Sequence, residues 1–172
     1  MLNAGVWLGA TFFFTLSVGP ALIVDDVQTI LGPQNSNFVR YVSDVLWQNN
    51  LSALFYWHIV CALIALLHLV AEWLYLGRTP GGVWRLLLSV LLAAGLFGAI
   101  KLAPKIRELH GNMHAPGIKP EIRQEAAKAY HTWRAVFRAM NMLMIAGIAV
   151  YFWRAANPSD ELRFVGSPKF RG

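Results

Sequence analysis

Long apolar stretches separated by short polar segments dominate the pattern of this chain. The longest stretch, residues 51–76, has about the length that a helix needs to cross the hydrocarbon core of a bilayer. Three further stretches predict three more spans, at about residues 4–24, 84–103 and 134–154. The pattern therefore predicts an all-α fold, an integral membrane four-helix bundle over residues 1–155 with a basic C-terminal tail at residues 156–172.

Three connecting features complete this prediction. Residues 36–46 place apolar and polar side chains on opposite sides of a helix, which predicts an amphipathic helix lying in the membrane interface or packed on the spans. Residues 104–119 predict a solvated segment that leaves the membrane. No helix-breaking residue follows Pro120 until Asn157, so the fourth helix should be about 50 Å long, and its first half should protrude from the membrane.

A polar stripe runs along the span at residues 51–76. His58, His68 and Glu72 lie within about 80° of the helix surface, and the opposite face is apolar. An ionisable side chain at membrane depth is costly and normally faces a protein interior or a cavity. The stripe is therefore the first candidate for a functional site.

The histidines of the stripe allow two interpretations. Imidazole is a common ligand of haem iron and of metal ions, so His58 and His68 are candidate cofactor ligands, with haem or (bacterio)chlorophyll as the groups considered. The two residues lie about 15 Å apart along the helix and cannot bind one metal together. Alternatively, both form hydrogen bonds within the bundle. Glu72, four residues after His68, either orients that imidazole as part of a metal site or reaches the membrane interface.

Small and amide side chains on the other spans predict contacts between helices. Gly5 and Gly9 are four residues apart, a spacing that permits close approach of two helices. Gly95 and Gly98 fit close packing in the third span. Asn141 is the polar residue that enters the fourth span, and we expect it to form a hydrogen bond with another helix.

His110 and His114 are also four residues apart, which is the spacing of a two-histidine metal site on a helix. Gly111 between them, and the sequence Ala-Pro-Gly after them, argue against a stable helix. A solvated loop is therefore the prediction for this pair.

Composition supports a membrane protein. Of the 172 residues, 56% are hydrophobic and 14% are charged, whereas a soluble domain has about 25% charged residues. The net charge of +6 comes from Lys and Arg near the span ends and in one connecting segment, which is typical of interfacial anchors and disfavours nucleic acid. The expected partners are membrane lipids and other integral membrane subunits. The single cysteine, Cys61, permits no disulfide within the chain.

The chain resembles the four-span membrane family that includes transmembrane protein 205 and the bacterial DUF4149 proteins. Four runs carry this resemblance in order and spacing: GVWLGATFFFTLSVGPAL, ALIALLHLVAEWLYLGR, KLAPKIRELH and YHTWRAVFRAMNML. Leu109-His110, Trp133 and Asn141 match the family pattern, whereas Arg134 and Phe137 stand where that pattern has a second His and a Ser. The resemblance implies a four-helix membrane bundle and no particular chemistry.

These observations predict a multi-pass protein of the cell inner (cytoplasmic) membrane. We expect an accessory or structural subunit of a larger complex, of respiratory or photosynthetic type, without catalysis of its own. The alternative is a haem-, pigment- or metal-binding redox or transport protein that uses the polar stripe. The first span, which lacks flanking Lys and Arg, predicts both termini in the cytoplasm, although the raw count of Lys and Arg slightly favours the other side.

Overall fold

A computed structural model describes residues 1–18, 36–76 and 81–157, and the regular elements in these ranges are all helical. The five α-helices are α1 Leu2–Phe12, α2 Ser36–Leu76, α3 Gly82–Phe97, α4 Ala103–His114 and α5 Pro120–Ala156. Two short π-helical segments continue α1 and join α3 to α4, namely Phe13–Val18 and Gly98–Leu102. The described part of the chain is therefore all-α, as the sequence predicts.

Three helical stretches in the described residues are long and apolar enough to cross a membrane. These are Tyr41–Tyr75, Gly82–His114 and Pro120–Ala156. The N-terminal helix, Leu2–Leu16, is apolar but shorter. Three such helices are typical of a multi-pass membrane protein.

Contacts between α2 and α3 show that these two helices are antiparallel. The Cβ position of Gly95 lies 3.3 Å from Cγ1 of Ile59, and Gly98, the first residue after α3, lies against Phe55, which is earlier in α2. A side chain at Gly98 would collide with the Phe55 ring. The close approach of the two helices at this point therefore depends on glycine.

The last helix, α5, is antiparallel to α3. Leu91 lies 3.1 Å from the Cβ position of Gly147, and the guanidinium of Arg154 lies 4.4 Å from the centroid of the Trp84 ring. The second contact places an arginine on an aromatic ring at one end of both helices, where such cation–π pairs are favourable.

Two groups of buried apolar side chains hold the bundle together. One lies among α1, α2, α3 and α5: Ala4, Trp7, Cys61, Ala62, Ala65, Leu69, Leu88, Leu91, Met144, Ile148 and Tyr151. The other lies among α2, α4 and α5: Leu51, Phe55, Leu102, Ala103, Ile106, Leu109 and Tyr130. The second group lies at the base of what we call the polar end of the bundle, which is formed by residues 36–50, 103–114 and 120–138.

The prediction of a separate interfacial helix at residues 36–46 is wrong, because α2 is continuous over 41 residues from Ser36 to Leu76. The connecting sequence Trp-Gln-Asn-Asn contains neither Pro nor Gly and does not interrupt the helix. The side chains of Asn50 and Ser52 instead donate hydrogen bonds to carbonyls four residues earlier, a contact compatible with helix.

The prediction of a solvated loop at His110 and His114 is also wrong, because α4 continues to His114. Pro104 lies in the first turn of α4, directly after the π-helical segment Gly98–Leu102, and the helix continues through it. Gly111 costs about 1 kcal/mol of helix propensity, and the burial of Ile106 and Leu109 offsets this cost. The turn follows only at Gly117, which has a φ of 81°.

Parts of two predictions lie outside the described residues. These are the end of the first span up to residue 24 and the basic tail from residue 158 onward.

Candidate functional site

His58 lies inside the bundle and is fully buried. Its Nδ1–H donates a hydrogen bond to the carbonyl oxygen of Leu54 at 2.8 Å, so Nε2 carries the lone pair. Neither this Nε2 nor the indole N–H of Trp7 has a partner among the described residues. The two rings are 6.0 Å apart in an edge-to-face arrangement. An acceptor and a donor without partners therefore lie close together in the bundle interior.

His68 and Glu72, by contrast, lie on the outer surface of α2. His68 Nε2 is 3.3 Å from Glu72 Oε1, and their side chains are 64% and 39% exposed. The expectation that the whole stripe faces the interior is wrong for His68. The buried face of α2 passes through Ala65 and Leu69, and His68 lies off this line because a helix has 3.6 residues per turn.

The register between α2 and α3 also separates the two histidines in depth. The Cβ position of Gly95 lies 3.5 Å from the Cβ of His58, well inside the third apolar stretch at residues 84–103. His68 is ten residues after His58 in α2. Because α3 is antiparallel to α2, His68 lies at the level of about Arg85, which is ten residues before Gly95 and near the start of α3. His58 is therefore deep in the bundle, and His68 lies near its end.

This geometry bears directly on a cofactor or metal site. His58 and His68 do not converge, and the described residues contain no group of three or more His, Cys, Asp or Glu that could hold a metal ion. Ligation by His58, or by His68 with Glu72, stays a prediction. The free Nε2 of His58 is the ligand atom that the bundle interior offers.

The residues predicted to pack helices are in varied surroundings. Three of the glycines lie against side chains of another helix: Gly5 against Phe152, Gly95 against Ile59 and Gly98 against Phe55. A Cβ at Gly9 would meet nothing within 4 Å among the described residues, so the expected packing is not seen there. Asn141 Nδ2 donates a hydrogen bond to Thr15 Oγ1 at 3.0 Å and joins α5 to the continuation of α1.

Sequence reasoning missed a polar cluster where α2, α4 and α5 meet at the polar end. We define this polar cluster as Asp44, Gln48, His110, Tyr130 and Arg134. The carboxylate of Asp44 lies between two partners, with Arg134 Nη1 at 3.5 Å and His110 Nε2 at 3.7 Å. These three residues come from α2, α4 and α5, so their electrostatic interactions hold the three helices together at one point.

Aromatic rings surround the polar cluster. The guanidinium of Arg134 lies 4.6 Å from the centroid of the Trp47 ring and 5.9 Å from that of Tyr130. Tyr41 stacks on His110 with the ring centroids 5.4 Å apart. Rings of this kind exclude water and strengthen the charge interactions that they cover.

Several buried polar atoms around the cluster have no hydrogen-bond partner within 3.5 Å in the described ranges. They are Ser43 Oγ, Gln48 Nε2, His110 Nε2 and Tyr130 OH. Buried polar atoms in folded proteins almost always have a hydrogen-bond partner, so a concentration of exceptions marks a place for water or a polar ligand.

A cavity of about 650 Å³ opens beside this cluster, between α2 and α4. Its polar lining residues are Tyr41, Gln48, Asn49, Arg107, His110 and His114. The Nδ1–H of His114 donates a hydrogen bond to the carbonyl oxygen of His110 at 3.0 Å. Nε2 of His114 takes no part in this hydrogen bond. The volume falls within the range of ligand-binding clefts.

The signal for this site was present in the sequence. Ile106, Leu109 and Met113 follow the three- and four-residue spacing of an amphipathic helix. That spacing predicts α4, and α4 turns His110 toward the same neighbours as Leu109. The turn residues around Gly117 are a stronger local signal than this periodicity, and for that reason the sequence predicts a loop for the two histidines.

Comparison of the chain with protein-family models, with curated proteins and with solved structures finds no match. The resemblance to the four-span family therefore stays a prediction.

Proposed function

We propose that this chain is an accessory subunit of a larger membrane complex and that it works by binding another integral membrane subunit through the outer face of α2. The observation that supports the proposal is the exposed His68–Glu72 pair. A side chain that can carry charge is costly next to lipid, and a polar group on a neighbouring subunit removes this cost.

The surroundings of the pair also support a docking face. Leu67, Trp73 and Leu74 are exposed beside it, and Tyr75 is almost fully exposed near the end of α2. Aromatic residues and large aliphatic residues around a few polar anchors are typical of the core of a protein interface. Lipid headgroups can also reach the end of a span, so the test has to separate lipid from protein.

In the same proposal, the N-terminal helix is the fourth span. α1 and its continuation are antiparallel to α5, since Gly5 lies near Phe152 and Thr15 binds Asn141. A helix from residue 2 to residue 18 is about 25 Å long, close to the thickness of the hydrocarbon core. The four spans then form the bundle, and the polar end protrudes on one side.

Site-specific photocrosslinking in intact membranes tests the docking face. A photoreactive amino acid at Leu67, which is 67% exposed beside the pair, should give one discrete protein adduct. The matched control is Leu143, which is 74% exposed on α5 within residues 139–153, a run without Lys, Arg, His, Asp or Glu. We expect no discrete protein adduct from Leu143.

A second variant tests whether the Leu67 adduct depends on the His68–Glu72 pair. The double substitution His68→Leu and Glu72→Leu should abolish the Leu67 adduct, because it removes the polar anchors and keeps an apolar surface. An adduct that survives this double substitution, or adducts of equal yield from Leu67 and Leu143, would contradict the proposal.

A second candidate function is cofactor binding at His58, which is favoured by its free and fully buried Nε2. Visible absorption of the purified protein tests it. A Soret or chlorophyll band that His58→Ala removes and His68→Ala keeps would support this function. A colourless preparation would reject it for haem and pigments.

A further inference from the structure

The cavity between α2 and α4 begins beside the end of the apolar segment of the α3–α4 stretch. Its lining on α4 begins at Arg107, five residues after Leu102, which is buried where that segment ends. Five residues of helix span about 8 Å, and the headgroup zone on each side of the core is about 5 to 8 Å thick. With the apolar segment in the hydrocarbon core, we expect Arg107 at the level of lipid phosphate groups and the lining up to His114 further from the core.

The donors in the lining suit an oxyanion. Among the described residues, the guanidinium of Arg107 donates one hydrogen bond, to Ser52 Oγ at 3.3 Å, and its remaining N–H groups are available to a ligand. Gln48 is 5% exposed and lines the cavity, and its amide nitrogen, which lies near the Tyr130 hydroxyl, makes no well-aligned hydrogen bond in the described part of the chain. A buried donor without a partner is costly, and a ligand oxygen would remove this cost.

Two acidic side chains near the cavity are already paired with cations. Asp44 pairs with Arg134 at 3.5 Å and Glu108 with Lys105 at 3.0 Å, so both repel an incoming anion only weakly. The polar end carries seven Lys or Arg residues and four Asp or Glu residues. This excess of positive charge at the polar end attracts anions to the cavity.

We propose that this cavity is a binding site for a phosphate-bearing anion, held by the guanidinium of Arg107 and the buried amide of Gln48. The phosphate diester of an anionic lipid headgroup and free inorganic phosphate share this chemistry. The site is separate from the docking face on α2, so its test does not depend on the proposed function.

Binding is tested on the purified full chain in a zwitterionic detergent. Native mass spectrometry measures the retention of phosphatidylglycerol and of phosphatidylcholine, and calorimetry measures binding of inorganic phosphate. We expect Arg107→Gln to weaken the binding of phosphatidylglycerol about ten-fold, because a hydrogen bond to a charged group is lost. Gln48→Leu should weaken it as well, and a thermal unfolding curve shows whether this variant is still folded.

The matched control is Arg123→Gln, which removes an exposed arginine of the polar end that does not line the cavity. It should change binding less than two-fold. Dependence on Arg107 with phosphatidylglycerol only identifies a lipid site, and the same dependence with inorganic phosphate identifies a free-phosphate site; both results support the proposal. Equal losses in Arg107→Gln and Arg123→Gln, or no binding of either probe, would overturn it.

Discussion

Arg134 Nη1 lies 3.5 Å from Oδ1 of Asp44, and these two residues are 90 positions apart in the chain. The contact joins α5 to α2 at the polar end, and the Trp47 ring lies against the same guanidinium. The side chain of Asp44 is 14% exposed and that of Arg134 is 30% exposed, so water screens the pair only in part. A partly buried pair of this kind should contribute more to stability than an ion pair on the surface.

A double-mutant cycle on this pair tests that expectation. Asp44→Asn and Arg134→Gln should each lower the free energy of unfolding by about 1 to 2 kcal/mol, with a coupling energy of about 1 kcal/mol. The measurement is denaturant unfolding of the purified protein in micelles. The matched control is the exposed Lys105–Glu108 pair, for which a coupling energy below about 0.5 kcal/mol is expected. Equal coupling in both pairs would show that burial of Asp44 adds nothing.

Gly98 should be the glycine least tolerant of substitution. Gly98→Ala pushes a methyl group into the Phe55 ring, which is itself buried, and should lower the free energy of unfolding by about 1 to 3 kcal/mol. Phe55→Leu in the same chain should restore part of this loss by making room. Gly9→Ala is the control, because a Cβ there meets nothing within 4 Å in the described part of the chain, and it should be neutral or slightly stabilising. Similar losses at both glycines would contradict the described packing of α2 on α3.

Because α4 includes Gly111 and ends before Gly117, alanine substitution should have opposite effects on stability at these two glycines. Gly111 is inside the helix with open space around it, so Gly111→Ala should raise the free energy of unfolding by about 0.5 to 1 kcal/mol. Gly117 has a φ of 81°, so Gly117→Ala should lower it by about 1 kcal/mol. If residues 104–119 formed a solvated loop, Gly111→Ala would have no stabilising effect.

Apolar periodicity accounts for what the sequence could predict of this fold. A run such as residues 51–76 contains little except apolar residues, so its helical state and its approximate length follow from the pattern. The ends of the helices do not follow from it. α2 begins fifteen residues before that run, and α4 passes through Gly111, because tertiary packing of Val39, Ile106 and Leu109 outweighs weak local signals.

The candidate site was harder to predict for a related reason. Asp44, His110 and Arg134 are far apart in sequence, and each is an ordinary polar residue in its own segment. Only the continuous α2 and the helical α4 bring them together. The polar stripe on α2 could be predicted from the sequence, but its spacing did not decide which of its positions face the bundle. Buried Leu69 and exposed His68 are consecutive residues, about 100° apart on the helix.

The two ends of α5 should lie on opposite sides of the membrane. α5 is 37 residues long, about 55 Å, so Lys119 before it and Asn157 after it should be separated by the bilayer. Cysteines at these positions, in a chain with Cys61→Ser, should react oppositely with an impermeant maleimide in intact cells. The predicted cytoplasmic termini require labelling at Lys119 and protection at Asn157. Labelling of both positions in intact cells would contradict a membrane-spanning α5.

The central claim is that the chain belongs to a larger membrane complex through the His68–Glu72 face of α2. Extraction of native membranes with a mild detergent, followed by native gel electrophoresis, tests it most directly. The wild-type chain and a Lys105→Gln, Glu108→Gln control should migrate in a high-mass particle, and the His68→Leu, Glu72→Leu variant should not. A wild-type chain that migrates as a 19.2 kDa monomer in its micelle, or a double variant that stays in the particle, would contradict the claim.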